Sequence, residues 1–90
     1  MKIVVLISGR GSNMAAILKN WKAGTLPVDI VGVFSNKHAA PGLKTAQEYG
    51  IPTHSFEISE FESKDAYEAA LLDQLKTWQC DWVILAGYMR

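Results

Sequence analysis

The run Ile3-Val4-Val5-Leu6-Ile7 narrows the choice of fold sharply. Five β-favouring residues follow one another without polar alternation, the pattern of a strand covered on both faces, as in a parallel sheet with helices on either side. The run enters Ser8-Gly9-Arg10-Gly11-Ser12-Asn13 directly. Gly9 and Gly11 can take backbone angles closed to other residues, and they let a ligand approach the main chain. Ser12 is a preferred N-cap residue, so the free N–H groups of the following helix, together with its dipole, would point at an anion in the loop. Strand, turn and helix together have the form of a phosphate loop. The plainer alternative is that the two glycines only make a tight strand-to-helix turn.

The rest of the chain repeats the alternation. Met14, Ile17, Leu18 and Trp21 fall at i, i+3, i+4 and i+7 and make one helix face apolar, and Gly24 stops that helix. Ile30-Val31-Gly32-Val33-Phe34 repeats the buried-strand pattern and ends in a loop at Ser35-Asn36-Lys37-His38. Pro41 suits the first turn of a second helix, which carries Leu43, Ala46 and Tyr49 and is closed by Gly50. A short third strand is expected around Thr53 to Phe56. Ser59-x-x-Glu62 and Ser63 compete to cap a third helix with Tyr67, Ala70, Leu71, Leu75 and Trp78 as its inward stripe. Trp82-Val83-Ile84-Leu85-Ala86-Gly87 is the fourth strand.

Four strands separated by three helical segments, with right-handed crossovers, predict an α/β fold. Its sheet is parallel and doubly wound, with strand order 3-2-1-4. The switch point then lies between strands 1 and 4, and the crevice at their carboxyl ends is the expected ligand site. Ser8 to Asn13 would flank it on one side and Gly87-Tyr88-Met89-Arg90 on the other.

With nine basic and nine acidic residues in 90, the chain has no net charge and no basic run to attract nucleic acid or an acidic membrane. A small molecule is the expected partner. Cys80 stands alone and cannot form an internal disulfide, and nothing has the form of a signal peptide or membrane span, so a cytoplasmic protein is expected. No His, Cys and carboxylate cluster has metal-ligand spacing, so no metal is expected. Cys80, Trp21, Trp78 and Trp82 are expected in packing or interface roles, His54 as a partly buried strand residue and His38 in a loop. Asp29, Asp65 and Asp81 sit at element boundaries as turn or cap residues.

The ligand class can be tested on spacing. A dinucleotide loop would continue Gly9-x-Gly11-x-x with glycine or alanine, but Met14 stands there. The acidic residue that should end strand 2 is also missing, and no Walker string is present, which disfavours NAD and nucleoside triphosphates.

Three strings settle the comparison further: Ile-Ser-Gly-Arg-Gly-Ser-Asn-Met-x-Ala-Ile at 7–17, Val-Phe-Ser-Asn-Lys at 33–37 and Leu-Ala-Gly-Tyr-Met-Arg at 85–90. Together they resemble the phosphoribosylglycinamide formyltransferases, the folate-dependent transformylases of purine synthesis, in register over the whole chain. Related formyltransferases acting on initiator methionyl-tRNA share fold and folate, but carry a Pro-containing string in place of Gly-Ser-Asn and rank second. The resemblance implies a Rossmann-like formyltransferase fold. It implies that Gly11, Ser12 and Asn13 hold the phosphate of glycinamide ribonucleotide. By the same likeness, Tyr88, Met89 and Arg90 lie along the pteridine of the cosubstrate 10-formyltetrahydrofolate. Lys64 stands where some members have an arginine that contacts the folate; lysine keeps the charge without the planar fork.

In the family an Asn, His and Asp set stabilises the oxyanion and moves protons, and its members lie further along the chain than Arg90. Residues 1–90 are therefore expected to be the N-terminal, nucleotide-binding half of a formyltransferase domain, without its catalytic half and inactive alone. Strand 4 would be an apolar edge, open to self-association or to a C-terminal half. The alternative function is a non-catalytic phosphate-binding or assembly module of the same fold, such as an engineered fragment.

Overall fold

A computed structural model describes residues 1–9 and 12–88. Among these residues the order is β1 Lys2–Ile7, α1 Ser12–Lys22, β2 Asp29–Ser35, α2 Pro41–Glu48, β3 Thr53–Ser55, a 3-10 turn Ile58–Glu60, α3 Lys64–Trp78 and β4 Trp82–Leu85. All strand pairs are parallel, in the order β3-β2-β1-β4 expected from the crossover rule.

β1 lies between β2 and β4, and its alternate side chains meet a helical layer on each face. Ile3, Val5 and Ile7 pack with Met14 and Leu18 of α1 and with Ala46 of α2. Val4 and Leu6 pack with Phe34 of β2 and Tyr67 of α3. Every residue from Ile3 to Ile7 is at most 4% exposed, which is why the run carries no polar alternation. The molecule is thus three layers, with α1 and α2 on one face of the sheet and α3 on the other.

β2 departs from regular pairing. Ile3 pairs with Ile30 but Val4 pairs with Gly32, so Val31 is one residue too many and the strand carries a bulge. The bulge resets the alternation: Ile30 and Val33, three positions apart, both reach the α1/α2 core, while Val31 and Phe34 reach the α3 core. Gly32 sits at the bulge because the indole of Trp78 lies against it. A Cβ there would come within 2.5 to 2.7 Å of three indole carbons.

The helices stop where expected, with Gly24 at φ +83° after α1 and Gly50 at φ +76° after α2. Of the competing caps for α3, Ser63 prevails: its Oγ accepts the Ala66 N–H at 3.1 Å, while Ser59 falls inside the 3-10 turn. Tyr67, Leu71, Leu75 and Trp78 form the inward stripe, whereas Ala70 is only half-buried and stays outside the core cluster.

Some boundaries and placements differ from expectation. β3 ends at Ser55 and β4 at Leu85, although Phe56 and Ala86 each add one more backbone bond, to Ser35 and Leu6. Trp82 is 62% exposed, which excludes the core role and leaves the interface one; it opens β4, which is an edge strand among the described residues. His54 is exposed, since β3 is the other edge, and its ring lies edge-on to Phe56. Trp21 does pack on the core, and its Nε1–H donates to the Val28 carbonyl at 2.8 Å. Cys80 is half-buried beside the α3 core, and Asp81 accepts the Lys2 N–H at 2.9 Å, tying the starts of β1 and β4 together.

Candidate functional site

Parallel strands bring their carboxyl ends to one end of the sheet. Ser8 follows β1, Asn36 and Lys37 follow β2, and Tyr88 lies three residues past β4; all four border one cavity of about 270 Å³. The first two turns of α3 close it with Lys64, Tyr67 and Glu68, and Ile58 of the 3-10 turn completes the wall. Spacing i, i+3, i+4 puts the three α3 residues on one helix face. Lys64 is exposed on the first turn of α3, where a cation opposes the helix dipole instead of complementing it.

The walls are fixed from behind. Ser35 is fully buried and its Oγ accepts the Lys37 N–H at 3.0 Å, which shapes the turn after β2. A file of aromatic rings runs from β2 to α3: Phe34 to Phe56 at 5.4 Å, Phe56 to Phe61 at 5.6 Å and Phe61 to Tyr67 at 5.7 Å, all tilted or edge-on. At its end the Tyr67 and Tyr88 hydroxyls are hydrogen-bonded at 2.8 Å.

A polar cluster anchors the 3-10 turn. His38 Nδ1 is 2.7 Å from Ser55 Oγ and its Nε2 is 2.6 Å from Glu60 Oε1, while the His38 N–H donates to Glu57 Oε2 at 2.9 Å. Glu60 Oε1 also accepts the Glu57 N–H at 2.7 Å, half of a capping box. The cluster holds the loop after β2 against the segment that carries Ile58. The Glu60 carboxyl is kept below its ordinary value of 4.5, first by the Glu57 N–H and then by the His38 imidazole. Such a carboxylate adds stability above its unfolded pKa, and that contribution is lost as pH falls through the lower folded value. Both side chains are about half exposed, so the effect on stability is small. Carbon-detected titration of the Glu60 carboxyl should give a midpoint below 4.5 that rises in His38→Ala; a midpoint at or above 4.5 in the unaltered chain would contradict this geometry.

The described members of the expected site fall in two places. Lys64 and Tyr88 border the cavity. Asn13 is exposed on the first turn of α1, and Ser12 already has helical backbone, so the helix starts one residue earlier than a cap at Ser12 would place it. Gly11, Met89 and Arg90 lie outside the described residues. Gly9 corrects one expectation: its backbone is not at positive φ, and among the described residues a Cβ there would meet nothing within 4 Å. Its carbonyl accepts the Gly42 N–H at 3.2 Å, docking the loop on the start of α2.

Ser8 joins loop and cavity, since it lines the one and precedes the other. Tyr67, Glu68 and Ile58 were not among the expected site residues. Their signal was the same-face spacing from Lys64 for the first two; for Ile58 there was none. A broader, shallower hollow of about 580 Å³ lies along α2 and β3, beside His38, Lys44 and His54, on the outer edge of the sheet and away from the strand ends at β1 and β4. Among the described residues no group of three or more His, Cys, Asp or Glu could hold a metal, and no helix is long and apolar enough to cross a membrane.

The sequence pattern of a formyl transferase family matches residues 1–90. Phosphoribosylglycinamide formyltransferase of Escherichia coli (strain K12) is 44% identical over 90 residues, all of this chain and 42% of that protein. The trifunctional purine biosynthetic protein adenosine-3 of Gallus gallus is 36% identical over 90 residues, which cover 9% of its length. The phosphoribosylglycinamide formyltransferase structure from Coxiella burnetii overlays with a TM-score of 0.96 at 41% identity, covering 100% of this chain and 42% of that one. The chain thus spans about two fifths of the single-function relatives it matches.

Proposed function

This chain belongs to the formyl transferase family, and from that premise we propose that it supplies the substrate-holding part of a phosphoribosylglycinamide formyltransferase. The reaction moves a formyl group from 10-formyltetrahydrofolate to the amine of glycinamide ribonucleotide. The observation that carries the reading is the cavity at the carboxyl ends of β1, β2 and β4, bordered by Ser8, Lys64 and Tyr88.

Each part has its task. The first N–H groups of a helix have no intrahelical partner and carry the positive end of its dipole. The start of α1, with Gly11, Ser12 and Asn13, therefore suits the ribonucleotide phosphate. The cavity of about 270 Å³ lies just below the ~300–1,000 Å³ usual for ligand sites. It has room for a flat ring system, with the remainder of the ligand outside. Tyr88 and Ile58 offer that ring apolar surface, Asn36 and Glu68 offer polar atoms, and the Lys37 and Lys64 ammonium groups favour an anionic tail. Met89 and Arg90 continue the segment that holds the folate.

Binding is proposed without turnover. Neither His38 nor His54 borders the cavity, and the Asn, His and Asp set implied by the resemblance has no counterpart at this site among the described residues. The open edge of β4, with Val83 38% and Leu85 66% exposed, is where a C-terminal half would pair, or a second copy in its absence. The test is where ligands bind on an isotope-labelled chain: glycinamide ribonucleotide should perturb amides at the start of α1, and a stable formyl-folate those around Lys64 and Tyr88.

A further inference from the structure

We infer that Tyr67 is a positioning residue: its hydroxyl holds the Tyr88 side chain in the cavity wall and thereby sets how tightly the chain binds a folate ring, an inference that rests on the folate reading of this cavity. The two partners of the 2.8 Å hydroxyl pair are held very differently. Tyr67 is 3% exposed, on a helix capped by Ser63, and its ring ends the file that begins at Phe34 and passes through Phe56 and Phe61. That file leaves the ring little freedom. Tyr67 belongs to the core and also borders the cavity, where its hydroxyl meets that of Tyr88.

Tyr88 is half-buried and stands beyond the last paired residue of β4, after Gly87 at φ +77°. The sheet ladder does not fix its backbone, so its side-chain contacts decide where the ring lies. Tyr88 also packs against the α3 core, so the hydroxyl bond joins a buried ring to a half-buried one, and its loss should let Tyr88 shift in the cavity wall while leaving Tyr67 in place.

The experiment uses the 90-residue chain with carbon-13 in its tyrosine rings, with Tyr67→Phe and Tyr88→Phe as variants. Without ligand, Tyr67→Phe should move and sharpen the Tyr88 ring signals toward those of free tyrosine, with the urea midpoint close to that of the unaltered chain. Tyr88→Phe should leave the Tyr67 ring signals nearly unmoved. Unchanged Tyr88 signals in Tyr67→Phe would overturn the inference. With 5-formyltetrahydrofolate as probe, each variant should bind about three- to tenfold more weakly, and the double variant no more weakly than either one. Fully additive losses would overturn the coupling. Failure of the unaltered chain to bind the probe would instead overturn the folate reading, and the ligand-free ring signals would still decide whether Tyr67 positions Tyr88.

Discussion

Phe34→Ala is expected to lower folding stability by about 3–5 kcal/mol, the usual cost of removing a buried phenyl ring. For 90 residues the whole stability is of the order of 5–13 kcal/mol, so the variant should sit near the edge of folding. The upper part of the range applies because the site cannot collapse easily. Phe34 is fully buried, paired in register with Leu6 of the central strand, and it seats the aromatic file on the sheet. Without it Phe56, Phe61 and Tyr67 lose their footing, and the cavity wall loosens with them. Urea unfolding measures the effect; a loss below ~1 kcal/mol would show that the α3 core closes over the gap.

Gly32→Ala should also destabilise, by about 1–3 kcal/mol, against the usual trend. Glycine inside a strand normally costs roughly 0.5–1 kcal/mol relative to alanine, and Gly32 is not at positive φ, so backbone preference alone favours the substitution. Sterics decide otherwise. The atoms met at 2.5 to 2.7 Å are carbons within the rigid indole of Trp78, a residue packed in the α3 core, and the whole ring must move. Pairing Gly32→Ala with Trp78→Leu should recover part of the loss in a double-mutant cycle. A neutral or stabilising Gly32→Ala would mean that the indole has room to turn.

What the amino-acid order made legible follows from strong local rules. The unbroken apolar run at Ile3–Ile7 demanded cover on both faces, and right-handed crossovers then left the order 3-2-1-4. Gly24 and Gly50 marked helix ends by the backbone angles they adopt. The bulge at Val31 was not legible, because Ile30 to Phe34 looks uniformly apolar and only pairing with β1 reveals the extra residue.

The site was half legible. The strand-end rule located the crevice beside β1 and β4, but its reach to Asn36 and Lys37 depends on how the turn after β2 folds over Ser35. The helical stripe places Tyr67 in the core, where it lies; that it also borders the cavity and bonds the Tyr88 hydroxyl depends on where Tyr88 comes to lie. The His38 cluster draws residues from three separate segments, so no periodicity announces it. For Trp82 the sequence leaves core and interface roles open, and its exposure on the β4 edge excludes only the core.

The central claim is that the start of α1 holds a ribonucleotide phosphate beside a folate cavity. The direct measurement is a proton–nitrogen spectrum of the labelled chain titrated with glycinamide ribonucleotide. Saturable shifts should centre on Ser8, Gly9, Ser12 and Asn13, and 5-formyltetrahydrofolate added to the same sample should move Asn36, Lys64 and Tyr88. No saturable shift at the start of α1, or shifts centred instead on the shallow hollow beside Lys44 and His54, would contradict the account.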